Sequence, residues 1–165
     1  MMHSHREKEL GPPSDSHFYA PYIGSEQIIM ILDLLERLKP RKCLEWGSGW
    51  STVFFPRFTP GAMWISIEHL SQFVKLISPY LLPNVNIIQK GLGKSYVEEP
   101  LNWVKGQPFD FVFIDGEGRN DCVKIALQIL RKGGIVVQHD ASPLENLRGE
   151  FEEKGRIGGL WWGRK

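Results

Sequence analysis

The segment from Arg41 to Thr52 constrains the fold more than any other part of this 165-residue chain. It is a short apolar run, then a turn with Gly47 and Gly49, then Ser51 and Thr52 as candidate caps of a helix. Glycine lacks the Cβ that forbids positive φ, so this backbone can bend sharply and approach a ligand closely. A strand, a tight turn and a helix start in this order are typical of the place where an open α/β sheet binds a nucleotide-like ligand.

Apolar segments alternate with segments of helical periodicity along the chain. The predicted strands cover residues 41–46, 63–68, 85–89, 109–115 and 135–138. The predicted helices cover 25–39, a segment from Ser51 that Pro56 shortens or kinks, 71–82, and 120–131 with Gly133 and Gly134 as its C-cap. This alternation predicts an α/β fold with a doubly wound, mostly parallel sheet of six or seven strands and helices on both faces.

The ends of the chain are less regular than its middle. We expect residues 1–24 to form a partly mobile N-terminal arm and residues 25–165 to form a single domain. The aromatic residues Phe18, Tyr19 and Tyr22 either close over a ligand or attach this arm to the domain.

Near the other end, residues 142–154 are compatible with a helix, and residues 160–164 are predicted to form a last strand. Trp161 and Trp162 should then face opposite sides of the sheet. They either pack in the core or form a contact between two copies, so the sequence leaves a homodimer open.

The composition limits which partners and which cellular compartment we expect for this protein. A formal net charge of +1 gives no basic excess, so we expect neither nucleic acid nor a membrane as a partner. Cys43 and Cys122 lie in apolar patterns and are predicted to be buried free thiols, which favours a reducing compartment. No apolar run approaches the roughly 20 residues that span a bilayer. We therefore expect a cytoplasmic protein.

Carboxylates follow four of the predicted strands. Glu45, Glu68, Asp115 and Asp140 lie at or near their carboxyl ends, which form one rim of an open sheet. A dinucleotide fingerprint needs a third glycine where this chain has Thr52, and Glu45 would repel a pyrophosphate. A cationic ligand such as S-adenosylmethionine fits better, because Glu68 can hold its ribose hydroxyls by charge-assisted bonds.

Four motifs in this order carry a family resemblance. They are Glu-x-Gly-x-Gly-x-Ser, Ile-Glu-His, Phe-Asp-x-Val-Phe-Ile-Asp-Gly, and Leu-Arg-Lys-Gly-Gly-Ile-Val-Val before His-Asp. Over residues 25–140 the chain resembles the Rossmann-like class I S-adenosylmethionine-dependent methyltransferases, in particular O-methyltransferases. The resemblance implies that the cofactor is bound by Glu45, Gly47, Ser48, Gly49, Ser51, Glu68, His69, Gly91, Leu92 and Asp115.

The same resemblance assigns parts of the cofactor. It puts Glu45 beside the methionine ammonium, Glu68 at the ribose, Gly91 and Leu92 beside the adenine, and Asp115 at the methyl-donor end. The chain also departs from the family pattern. Many members have an acid near Lys90, and about 25 residues after Asp140 leave little room for the usual two final strands.

Three residues are candidates for the catalytic work. Methylation of a hydroxyl requires the acceptor to be positioned and its proton removed, for which Asp115, His139 and Asp140 are available. In the branch that resembles catechol O-methyltransferase, metal ligands occupy these positions. We expect no metal here; if one binds, His139 favours manganese, iron or zinc over magnesium.

The sequence therefore predicts a methyltransferase that acts on a small-molecule acceptor, most simply a hydroxyl. One alternative is a module that binds S-adenosylmethionine or S-adenosylhomocysteine without turnover. Another is a nicotinamide-dependent oxidoreductase, which the missing third glycine disfavours.

Overall fold

The computed structural model describes residues 20–104, 106–140 and 149–165. Seven strands form one sheet in the order β3-β2-β1-β4-β5-β7-β6. They are β1 (Lys42–Trp46), β2 (Met63–Glu68), β3 (Val85–Gln89), β4 (Phe109–Ile114), β5 (Leu130–Gln138), β6 (Glu153–Ile157) and β7 (Leu160–Arg164). Strands β1 to β5 pair in parallel, and β7 is antiparallel to both β5 and β6.

Among the described residues, five α-helices connect or precede the strands. They are α1 (Ser25–Leu38), α2 (Trp50–Phe54), α3 (Ser71–Ile77), α4 (Lys94–Glu98) and α5 (Arg119–Ile129). Short 3-10 turns extend α2, α3 and α4 over Phe55–Phe58, Ser78–Tyr80 and Glu99–Trp103. Pro56 lies in the first of these turns, which confirms that it shortens the helix after the glycine turn.

The helices cover both faces of the sheet, as predicted. On one face α1 packs Ile31, Leu34 and Leu35 against β-strand side chains. On the other face α5 packs its apolar side in the same way. Trp161 belongs to the second core and Trp162 to the first, which confirms that their side chains point to opposite faces. Within the described residues no helix is long and apolar enough to cross a membrane.

The helix α5 ends earlier than predicted, and the prediction that Gly133 and Gly134 form its C-cap is wrong. The backbone leaves the helix at Leu130, and Gly133 and Gly134 lie inside β5. The Gly133 N–H donates to the Lys165 carbonyl, and the Lys165 N–H donates to the Gly134 carbonyl. These glycines are therefore held by the sheet, where an irregularity in the β4–β5 pairing accommodates them.

The two final strands fit in the short tail, contrary to expectation. Ile157 pairs with Leu160, so only two residues separate β6 from β7, and a tight hairpin replaces a longer connection. The helix predicted over 142–154 is wrong at Glu153 and Lys154, which belong to β6, and its residues 142–148 lie outside the described residues. The aromatic residues Phe18 and Tyr19 also lie outside them.

The strand order fixes where a ligand can bind. From the neighbouring strands β1 and β4, the chain winds outward in opposite directions, which leaves a crevice between the turns that follow them. The sheet ladder continues to this point, because the Asp115 N–H donates to the Trp46 carbonyl at 2.9 Å. The Gly47 N–H likewise donates to Ile67 on the other side. Both turns are thus anchored on the rigid part of the sheet.

Candidate active site

A cavity of about 240 Å³ lies in the crevice between the turns after β1 and β4. The rim of the sheet supplies polar residues, and α3 supplies an apolar wall. The lining residues are Pro21, Tyr22, Gly47, Ser48, Gly49, Trp50, Ser51, Phe73, Leu76, Ile77, Asp115, Arg119, His139 and Asp140. The position and the mixed lining are those of a small-molecule site.

The cavity brings most of the predicted site residues together. Those that line it are Gly47, Ser48, Gly49, Ser51, Asp115, His139 and Asp140. Those that do not line it are Glu45, Glu68, His69, Gly91 and Leu92. Of this second group, Leu92 lines a separate cavity of about 630 Å³ beside α4 and α5.

The glycine turn is shaped by a close approach of two backbones. Gly47 has φ +90°, and a Cβ placed on it would lie 2.5 Å from the backbone nitrogen of Gly116. Gly116 is constrained in turn, because a Cβ on it would lie 2.1 Å from the hydroxyl oxygen of Tyr96. Gly49 differs, since no heavy atom lies within 4 Å of its Cβ position. The need for glycine is therefore structural at 47, and position 49 is open to the cavity.

Glu45 is fully buried behind the glycine turn. The Ser51 hydroxyl donates to its Oε1, and its Oε2 has no hydrogen-bond partner among the described residues. Burial raises the pKa of this carboxyl to about 8, although the hydrogen bond from Ser51 acts in the opposite direction. At neutral pH the group is mostly protonated, so the sequence argument that it repels a pyrophosphate does not hold for the free protein.

Glu68 at the end of β2 is held by the backbone around it. Its Oε2 accepts a hydrogen bond from the Ser48 N–H at 2.8 Å, and its Oε1 accepts from the N–H groups of His69 and Leu70 at 2.8 Å each. The residue is only 2% exposed. Glu68 thus ties the glycine turn to the turn after β2. The Tyr96 ring packs beside that turn, at 6.0 Å from the His69 ring.

Asp115 and His139 form a hydrogen-bonded pair at the ends of β4 and β5. The His139 Nδ1 lies 3.0 Å from the Asp115 Oδ1, and both residues line the cavity. The hydrogen bond that His139 donates to Asp115 raises the pKa of His139 above 6.5, against the opposing effect of burial. Because Nδ1 is engaged, Nε2 is the ring nitrogen left to act on a ligand.

Arg119 is a site residue that the sequence analysis missed. It begins α5, and its guanidinium donates to the carbonyl oxygens of Gly116 at 2.8 Å and His139 at 2.7 Å. The available signal was its position four residues after Asp115, immediately before the helix predicted to begin at residue 120. Asp140 beside it has φ +49°, an uncommon conformation for a residue other than glycine.

We expect Gly47→Ala to destabilise the protein by about 2 to 4 kcal/mol, because the added methyl meets Gly116 and the residue keeps an unfavourable φ. Gly49→Ala is the matched control and should cost less than about 1 kcal/mol. Urea unfolding of both variants measures the difference. Equal losses would contradict the close approach described for Gly47.

We expect Glu45→Gln to change how stability depends on pH. The folded protein keeps a proton on Glu45 up to about pH 8, whereas the unfolded chain releases it near the ordinary glutamate pKa of 4.5. The stability of the wild type therefore falls as pH rises from about 4.5 to about 8, by at most about 1.4 kcal/mol per pH unit from this group.

The Gln variant cannot ionise at this position, so its free energy of unfolding should lose that part of the slope. Urea unfolding at a series of pH values measures the slope, and Glu152→Gln at an exposed carboxyl serves as the control. The same slope in the wild type and in Glu45→Gln would contradict the raised pKa.

Comparison with known proteins gives structural but not sequence relatives. No family model matches the chain, and no curated protein matches it. An O-methyltransferase from Bacillus cereus, solved with SAH, superposes with a TM-score of 0.68 at 19% identity, covering 88% of this chain and 84% of that one.

Two further structures show the same likeness. TomG, an O-methyltransferase of tomaymycin synthesis from Streptomyces achromogenes solved with SAM, gives a TM-score of 0.65 at 18% identity, covering 87% of this chain and 81% of that chain. MycE, a methyltransferase of the mycinamycin pathway solved with Mg and SAH, superposes with a TM-score of 0.63 at 14% identity. The match covers 86% of this chain and 47% of that chain. At such identities the likeness concerns the fold. The chain has the Rossmann-like fold of class I S-adenosylmethionine-dependent methyltransferases.

Proposed function

We propose that this protein is an S-adenosylmethionine-dependent methyltransferase that methylates a hydroxyl group of a small molecule. The observation that carries the proposal is that one cavity is lined both by the glycine turn after β1 and by the Asp115–His139 pair. The first is suited to bind a nucleoside ligand and the second to accept a proton. The fold of the O-methyltransferases described above supports the same activity.

The residues around the turn fit the methionine part of the cofactor. Ser48 and Gly49 border the cavity with backbone groups that a ligand can approach. Ser51 lies between the cavity and Glu45, whose Oε2 is a buried acceptor without a partner in the described part of the chain. A cation nearby would satisfy this oxygen and favour the ionised carboxylate. The ammonium group of the cofactor is therefore assigned to this side.

The adenosyl part is assigned to the side of Glu68. Its carboxylate already accepts three backbone N–H groups and is almost fully covered. Contact with a ribose diol thus requires the turn after β2 or the Tyr96 side chain to move. Lys90, where an acid is common in the family, forms an ion pair with Glu99 at 3.1 Å. The adenine contact is therefore left to Gly91, Leu92 and their neighbours.

Residues of the rim act on the acceptor hydroxyl in the proposed reaction. The cofactor supplies a methyl group on a sulfonium, and its sulfur leaves with the bonding electrons. His139 accepts the hydroxyl proton at Nε2, and Asp115 holds the ring through Nδ1 and stabilises the imidazolium that results. The side chains of Phe73, Leu76 and Ile77 form an apolar wall of this space.

Calorimetric titration with S-adenosylhomocysteine tests the proposed cofactor. We expect one-to-one binding, and Glu68→Gln should weaken it at least tenfold, about 1.4 kcal/mol. Asp110→Asn is the matched control, because Asp110 also accepts two backbone N–H groups but lies at the opposite end of β4.

The titration also separates the rival functions. Absence of binding to the wild type would contradict the proposal. Binding without turnover of any hydroxyl acceptor would favour a module that only binds the cofactor. Preference for NAD would favour an oxidoreductase.

The proposed base predicts a pH profile. Because His139 must be neutral to accept a proton and its pKa is raised, kcat/KM should rise with pH to a plateau, with an inflection above 6.5. Asp115→Asn removes the negative charge that stabilises the protonated His139 ring and should move the inflection to lower pH. His139→Gln should lower kcat/KM by about 100-fold and abolish the inflection. An unchanged inflection in His139→Gln would exclude His139 as the base.

A further inference from the structure

The guanidinium of Arg119 lies between the two acids of the rim. Its Nη2 is 3.5 Å from the Asp115 Oδ1, and its Nη1 is 3.3 Å from the Asp140 Oδ2. Two carbonyl oxygens, of Gly116 and His139, accept hydrogen bonds from the same group. The planar fork of an arginine is well suited to hold several oxygens at once. One side chain therefore joins the ends of β4 and β5.

The same oxygens are those that a divalent ion would need. Asp115, His139 and Asp140 are the metal ligands that the family resemblance implies, yet the described residues contain no group of three or more acidic, histidine or cysteine side chains that could hold a metal ion. A divalent ion at the two carboxylates would also lie close to the guanidinium charge and be repelled by it. In addition, the His139 Nδ1 is engaged by Asp115. The residues present thus do not fit a metal.

We propose that Arg119 takes the place of a divalent ion at this rim, as a positioning residue for the methyl transfer proposed above. Its positive charge compensates Asp115 and Asp140, and its bond to the His139 carbonyl fixes the end of β5. Asp115 is thereby held against His139 Nδ1 without a metal. The inference rests on the proposed function for its role in catalysis, but its claim about charge and metal exclusion stands on the geometry alone.

Two further features support an ordered role for this arginine. Its side chain is only 23% exposed, so it is packed in the site and not extended into solvent. It lines the same cavity as Asp115 and His139, and so can influence a bound acceptor. In contrast, Arg131 pairs with Asp110 at the opposite end of β4. Arg131 therefore offers a control of the same residue type on the same sheet.

Titration of the full chain with Mn²⁺ alone tests the inference without any turnover. Calorimetry should show no Mn²⁺ binding to the wild type that depends on Asp115. Arg119→Leu removes the positive charge beside the two carboxylates and should bind one Mn²⁺ at least tenfold more tightly than the wild type. The double variant Arg119→Leu with Asp115→Asn should lose this gain, and Arg131→Leu should not acquire it.

The opposite results would overturn the inference. A one-to-one Mn²⁺ complex of the wild type that Asp115→Asn removes would show a metal site despite Arg119. A folded Arg119→Leu variant that gains no Mn²⁺ affinity would show that the guanidinium does not occupy the place of an ion. If cooperative thermal unfolding is lost in Arg119→Leu, Arg119→Gln, which keeps a polar fork, is used with the same expected gain.

The two proposals can fail separately. S-adenosylhomocysteine binding, measured on the same samples, reports the cofactor site and does not depend on the outcome with Mn²⁺. For turnover, we expect activity of the wild type to survive exhaustive chelation. Arg119→Lys keeps the charge but not the fork, so it should lower kcat at least tenfold while gaining no Mn²⁺ affinity; full kcat would contradict the positioning role.

Discussion

The contact between the backbones of Gly47 and Gly116 determines much of this structure. It joins the turn after β1 to the turn after β4 so closely that neither position has room for a side chain. Trp46, just before the first turn, also donates from its ring N–H to the carbonyl of Tyr96 at 3.0 Å. The floor of the cavity is therefore backbone fixed by packing, and the side chains around it are positioned from a rigid base.

The buried and half-buried charges of the rim are handled in three different ways. Glu45 avoids the cost of a buried charge by keeping its proton. Glu68 is compensated by backbone N–H groups, and Asp115 by His139 and Arg119. The three carboxyls thus differ in their chemistry. Glu45 is a protonated acid, Glu68 accepts backbone hydrogen bonds, and Asp115 is an anion that orients His139. Such separation of roles is what an enzyme site needs from similar side chains.

Much of the fold could be predicted from the sequence, because the signals were local. The strands β2 and β3 were located at their observed bounds, since each is a short apolar run with clear flanking residues. The end of α5 was misjudged, because Gly133 and Gly134 are typical of a helix cap but are held by distant Lys165. The helix α4 was not predicted at all: it has one buried side chain, Tyr96, and so no apolar periodicity.

Prediction of the candidate site had a similar limit. The acids at the strand ends could be found because the parallel strands β1 to β5 all end at the same edge of the sheet. The cavity at this edge brings Asp115, His139 and Asp140 together. The burial of Glu45, however, depends on the packing of three elements around it. The role of Arg119 depends on the direction of its side chain across two strand ends. Neither the burial of Glu45 nor the side-chain direction of Arg119 can be read from the order of residue types along the chain.

The hairpin of β6 and β7 also bears on association between copies of the chain. Since β7 is enclosed by β5 and β6, β6 is the last strand on this side of the sheet in the part of the chain that the structure describes. That edge strand is short and carries Glu153, Lys154 and Arg156. Charged side chains on a short edge disfavour the addition of another strand. The sequence of β6 therefore disfavours growth of the sheet from one copy into the next through this strand.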